Sequence, residues 1–76
     1  MNDRGLGNRL KEARARLGLT QAELAEKSGV SRKTINTVEN GVFIPSTLLA
    51  LMLARSLGVT VEELFYLTQP DDDDAV

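Results

Sequence analysis

The chain has no cysteine, no histidine and no tryptophan. Without cysteine it can form no disulfide, thiolate metal site or cysteine nucleophile. Without histidine it can hold no Ser-His-Asp triad, no HExxH zinc site and no histidine general base. Aromatic residues make up only 4% of it. The longest uninterrupted apolar run, Leu48 to Ala54, falls far short of the roughly 20 residues that span a bilayer. Met1-Asn2-Asp3-Arg4-Gly5 lacks an apolar signal-peptide core. The sequence thus predicts a cytoplasmic protein with no catalytic residue, no metal and no cofactor.

What is present fits one small globular domain: 76 residues, 42% hydrophobic and 26% charged. The net charge of −2 argues at first against nucleic acid, but its distribution matters more. Four of the eleven acids are the consecutive Asp71 to Asp74. Setting them aside leaves nine cations against seven acids, a balance of +2. Residues 1–55 hold all nine Lys and Arg against five acids, a balance of +4. A mildly basic body with an acidic end is a weak sign of a nucleic-acid-facing surface. The expected organisation is a domain over residues 1–67, with its core from about Gly5, and an acidic, disordered tail over 68–76.

Helix punctuation recurs along the chain and predicts an all-α domain of five short helices. Leu6, Leu10, Ala13 and Leu17 fall at i, i+4, i+7 and i+11, one helical face, and Gly18 supplies a stop. Thr20 with Glu23 forms a capping box for a helix from Gln21 to about Lys27. Leu24 and Ala25 face inward there, and Gly29 ends it. Ser31 opens a third helix, Arg32 to Glu39, with Ile35 and Val38 buried and Asn40-Gly41 as its stop. Pro45-Ser46 opens a fourth, Thr47 to Leu57, closed by Gly58. Thr60 with Glu63 caps a last one, Val61 to about Tyr66. No alternating stretch is long enough to predict a strand.

The informative stretch is Thr20 to Gly41, TQAELAEKSGVSRKTINTVENG. Two short helices meet at Ser28-Gly29-Val30-Ser31, where Gly29 permits the positive φ that reverses the chain. Val30, Ile35 and Val38 anchor the second helix. Its outer face is left with Arg32, Lys33, Asn36 and Thr37. This is a helix-turn-helix pattern with a hydrogen-bonding outer face.

From about Leu10 to Phe65 the chain resembles the phage-repressor/Cro family of helix-turn-helix proteins, also called the XRE family. The resemblance rests on Leu17-Gly18-Leu19-Thr20-Gln21-Ala22-Glu23-Leu24-Ala25, Gly29-Val30-Ser31, Ile35-Asn36, Glu39-Asn40-Gly41, Ile44-Pro45-Ser46, Ala54, Leu57-Gly58-Val59 and Glu63-Leu64-Phe65. It implies that the second motif helix enters the DNA major groove. Arg32 would pair bidentately with a guanine and Asn36 with an adenine, while Lys33 and Thr37 complete the base-reading set. Gln21 would clamp a phosphate at a helix N-terminus, joined by Asn40 and the N–H groups of Gly41, Val42 and Phe43. Arg14 and Glu39 match a family ion pair that would set registry and aim Arg14 at phosphate. Arg9 and Lys11 would add electrostatic attraction at most.

The fourth helix departs from the pattern by being apolar nearly all round. Family alignment turns Thr47, Ala50, Leu51, Ala54 and Leu57 inward, with Leu53 alongside. Leu48, Leu49 and Met52 are left over. With part of Val59, Phe65, Tyr66 and Leu67 they predict a homodimer surface, because a helix apolar all round needs a second partner. A wider intramolecular core is the alternative. The function expected is a sequence-specific transcriptional regulator, a repressor acting as a homodimer on a near-palindromic operator. Two rivals stay open. In one, an antitoxin-type protein binds a toxin through the fourth helix. In the other, a DNA-reading module is joined to a ligand-sensing domain. An enzyme is not expected, since Glu62 and Glu63 are better read as charges complementing a helix N-terminus.

Overall fold

A computed structural model describes residues 5–68. The expected tail from Gln69 onward lies outside the described residues. The element order is β1 (Leu6–Asn8), α1 (Leu10–Arg16), α2 (Gln21–Ser28), α3 (Arg32–Glu39), α4 (Thr47–Leu57), α5 (Val61–Leu64) and β2 (Phe65–Leu67). Five helices stand where five are expected.

Local chemistry fixes their ends. Thr20 Oγ1 accepts from the N–H of Glu23 at 3.0 Å, and the N–H of Thr20 donates to Glu23 Oε1 at 2.8 Å. Thr60 and Glu63 repeat that reciprocal pair ahead of α5. Ser31 and Ser46 accept from the third residue of α3 and α4 respectively. Each cap satisfies an N–H that has no partner within its helix. Gly29, at φ +75°, closes α2 in the left-handed region and lets α3 turn back onto it.

Each helix contributes at least one large, fully buried side chain to a shared core: Leu10, Leu24, Ile35 with Val38, Leu53 and Leu64. Ala25 and Ala54 are also buried, and their small size lets α2 sit close to its neighbours. α2 packs most extensively on α3 and then on α4. Ser28 is buried between the latter pair, where its hydroxyl and that of Ser56 hydrogen bond at 2.9 Å.

Three features differ from the sequence reading. First, the chain's two ends pair as a small antiparallel sheet, with Leu6 opposite Leu67, Gly7 opposite Tyr66 and Asn8 opposite Phe65. Leu6 is thus a strand residue and not the start of α1, and α5 ends at Leu64 instead of about Tyr66 because Phe65 and Tyr66 join β2. The strands are three residues each, too short for alternation to reveal, and what they pair with lies far off in sequence. Gly7 leaves room for the Tyr66 ring, since a Cβ on it would lie 2.6 Å from that ring and push it aside. The Arg9 guanidinium covers that ring at 4.2 Å, so Arg9 belongs to this clasp.

Second, α1 begins at Leu10 because Asn8 Oδ1 accepts its N–H at 3.0 Å. The helix ends at Arg16, which leaves Leu17 exposed. Third, α4 is rotated from the expected orientation. Leu53 is completely buried with Ala54 and Leu57, while Leu51 is 53% exposed and Thr47 also faces out. Leu49 and Ala50 pack partly against the core.

Candidate functional site

α2 and α3 form the helix-turn-helix, and the core orients them. Burial of Ile35 and Val38 turns the opposite side of α3 outward, so Arg32, Lys33 and Asn36 are exposed. The N–H groups of Arg32 and Lys33 precede the first capped position of α3 and open in the same direction. Thr37 is half-buried, and its hydroxyl donates back to the carbonyls of Lys33 and Thr34, both at 3.0 Å. Toward a base it keeps its methyl group and the acceptor capacity of its hydroxyl oxygen.

A polar network runs behind this face. Arg14 Nε donates to Glu39 Oε2 at 2.7 Å and Nη2 to Glu39 Oε1 at 3.3 Å. Arg14 Nη1 donates to the Leu19 carbonyl at 2.9 Å. The two side chains are only 16% and 5% exposed. The expected ion pair is therefore present, and three of the five N–H groups of Arg14 are engaged within the protein. Two of its nitrogens brace α1 against the end of α3, and the third holds the turn that leads into α2.

Gln21 extends the network. Its Nε2 donates to Glu39 Oε1 at 3.1 Å and to Asn36 Oδ1 at 3.2 Å. The side-chain amide is thus turned inward, and what Gln21 offers to an anion is its backbone N–H. That group and the N–H of Ala22 lie before the first satisfied donor of α2, at the positive end of its dipole. Asn40 is exposed, and its Nδ2 donates to Asn36 Oδ1 at 3.2 Å.

The expected phosphate cradle at Gly41, Val42 and Phe43 is a correction. The N–H of Gly41 donates to the Val38 carbonyl at 3.1 Å. Those of Val42 and Phe43 both donate to the Thr37 carbonyl, at 3.0 and 3.2 Å. A helix C-terminus leaves carbonyls without partners, and these amides satisfy them. Asn8, missed by the sequence reading, adds a donor to the same end: its Nδ2 reaches the Val38 carbonyl at 3.0 Å. An Asn two residues before a helical Leu is the signal that could have found it.

The expected dimer surface is also partly revised. Phe65 is only 9% exposed and Val59 packs against the core, so neither is free to form its centre. Leu48 at 68% and Leu67 at 82% exposure remain available, with Tyr66 exposed and Met52 half-buried. Leu51 joins them. It lines an open apolar groove with Leu6, Pro45, Ala50, Val61 and the edge of Phe65. Leu6, Pro45 and Phe65 also border a recess walled by the exposed Phe43 and Ile44. The apolar strip is therefore continuous from the loop after α3 to α5.

Among the described residues, no cluster of three or more His, Cys, Asp or Glu side chains could hold a metal. No helix among them is long and apolar enough to cross a membrane.

The helix-turn-helix family profile matches residues 10–64. A helix-turn-helix-type transcriptional regulator of Methanothermobacter thermautotrophicus, itself uncharacterized, is 48% identical over 67 residues, covering 87% of this chain and 93% of its own. The solved restriction-modification controller protein C.AhdI from Aeromonas hydrophila is 38% identical, with a TM-score of 0.70 over 72% of this chain and 83% of its own. The biofilm master regulator SinR, solved in complex with DNA, is 31% identical, with a TM-score of 0.67 over 70% of this chain and 86% of its own. These are regulators and not enzymes. Matched over most of its length in both sequence and backbone, this chain belongs to the helix-turn-helix family of XRE type, whose members are DNA-binding transcriptional regulators.

Proposed function

We propose that the chain reads a specific sequence of double-stranded DNA and represses transcription as a homodimer on a near-palindromic operator, in the cytoplasm. The observation that carries this reading is one surface. Arg32, Lys33 and Asn36 stand exposed along α3, and the open N-terminus of α2 is tied beside them through Gln21 and Asn36. SinR, whose backbone is similar, is solved with DNA, which supports the duplex as the partner.

In the complex, α3 lies in the major groove and its first turn meets base edges. Arg32 donates bidentately to a guanine, Lys33 donates to a neighbouring base or phosphate, and the Thr37 methyl contacts a thymine. The N–H groups at the start of α2 and the Asn40 side chain hold phosphates. One short helix reads few base pairs, so a two-fold dimer that sets two such helices about 34 Å apart gives a full site. The apolar strip around Leu48 and Leu51 supplies the dimer contact.

Arg32→Ala tests the base-reading role. It should weaken binding to the preferred duplex by about 1–3 kcal/mol and relax the preference at one base pair per half-site. The exposed position should leave the melting curve where it was. Fluorescence anisotropy with matched and single-mismatch duplexes reads both effects, and unchanged discrimination would remove Arg32 from the reading set.

The apolar groove also favours a second reading, an antitoxin-type protein whose strip receives an unlike polypeptide. Stoichiometric co-purification of such a chain, in place of a homodimer, would select it.

A further inference from the structure

We propose that Asn36 selects guanine, not adenine, because a relay of hydrogen bonds starting at Arg14 fixes which end of its amide faces the groove. The inference rests on the DNA-reading function proposed above and specifies one letter of the site.

The relay begins with charge. Arg14 holds both oxygens of Glu39 and keeps the carboxylate in place behind α3. A carboxylate accepts hydrogen bonds and donates none. The Gln21 amide lies against Glu39 Oε1, so it must present Nε2 there, with its carbonyl turned away. The second hydrogen of that Nε2 goes to Asn36, which must therefore answer with Oδ1. Asn40 Nδ2 donates to the same oxygen. Two donors fill its two lone pairs.

Asn36 is left with one capability. Its Nδ2 carries two N–H groups, and neither has an acceptor among the described residues. Bidentate pairing with adenine needs an amide oxygen for N6–H as well as an N–H for N7. Here the oxygen is occupied on the protein side. Guanine presents two acceptors, N7 and O6, and takes both N–H groups. Arg32, one turn earlier on the same face, is likewise donor-only. Together they complement an edge rich in acceptors.

Selection of binding sites from random duplex DNA tests this with the full chain, Asn36→Ala, and the double variant Gln21→Ala with Asn40→Ala. The position that loses its preference in Asn36→Ala is the one Asn36 reads. In the wild-type chain that position should hold guanine over adenine by about tenfold or more. The double variant removes both donors to Asn36 Oδ1 and lets the amide invert. Guanine and adenine should then be recovered within about threefold of each other. Adenine at that position in the wild-type chain overturns the proposal, as does an Asn36→Ala profile identical to wild type. A double variant that still demands guanine overturns the relay as its cause. If no duplex is enriched at all, the DNA-reading function itself fails, and the proposal with it.

Discussion

Arg14→Ala is expected to lower the melting temperature by roughly 10–20 °C. The substitution strands Glu39, which is 5% exposed and holds its charge against the Arg14 guanidinium. Removing one partner of a fully buried pair costs about 3–5 kcal/mol, and this part-buried pair costs less, about 2–3 kcal/mol, because water reaches the stranded charge in part. A domain of this size has a total stability of order 5 kcal/mol. The hydrogen bond from Gln21 Nε2 remains but is neutral and does not replace a cation.

The pair is not itself the source of stability. Replacing Arg14 and Glu39 together by Leu and Met should restore most of the melting temperature, since burial of apolar groups of similar volume is neutral or better. The restored chain should still bind DNA, but with the guanine preference at the position that Asn36 reads relaxed, because Gln21 and Asn36 no longer have the group that orients them. Thermal melting and anisotropy on the single and double variants separate the two roles. A single variant that melts like wild type would show that the pair does not matter.

Leu48→Glu combined with Leu51→Glu is expected to yield a folded monomer whose operator affinity has fallen about 10²–10⁴-fold. Both side chains are more than half exposed in the isolated chain, so charging them creates no buried charge within one protomer. In a dimer that meets through the apolar strip, they would set carboxylates in a dry interface. Without the second binding module, an effective concentration in the millimolar range disappears, and the affinity falls with it. The slope of log affinity against log salt should also flatten by about 0.9 for each phosphate that the protein no longer neutralises. Sedimentation equilibrium gives the mass. A variant that stays dimeric and keeps its affinity would move the interface elsewhere.

The sequence exposes the features that are local. Thr20 with Glu23, and Thr60 with Glu63, are capping boxes whose partners lie three residues apart, and both form as spacing predicts. Ile35 and Val38 define a buried side of α3 because the rest of that helix is polar, so the face with Arg32, Lys33 and Asn36 is legible too. α4 defeats the same reasoning. With Leu at 48, 49, 51 and 53 and Met52 between, many rotations bury apolar surface equally well. Only packing against α2 and α5 decides that Leu53 goes in and Leu51 comes out. The clasp of β1 with β2 and the bond from Asn8 to the Val38 carbonyl join residues far apart in the chain, beyond any local pattern. The amides after α3 illustrate a different limit. A Gly-containing loop reads as a phosphate cradle until one sees that the helix end has already taken its donors.

The most direct measurement is competition binding of the purified chain to its best selected duplex against a scrambled duplex of equal length. It is done in parallel with a chain carrying Arg32→Ala, Lys33→Ala and Asn36→Ala. If the outer face of α3 reads DNA, the intact chain prefers its site by about 10³-fold or more at physiological salt. The triple variant then loses that preference while melting at the same temperature. Equal affinity of the intact chain for both duplexes, or an undiminished preference in the variant, would contradict a reading role for this helix.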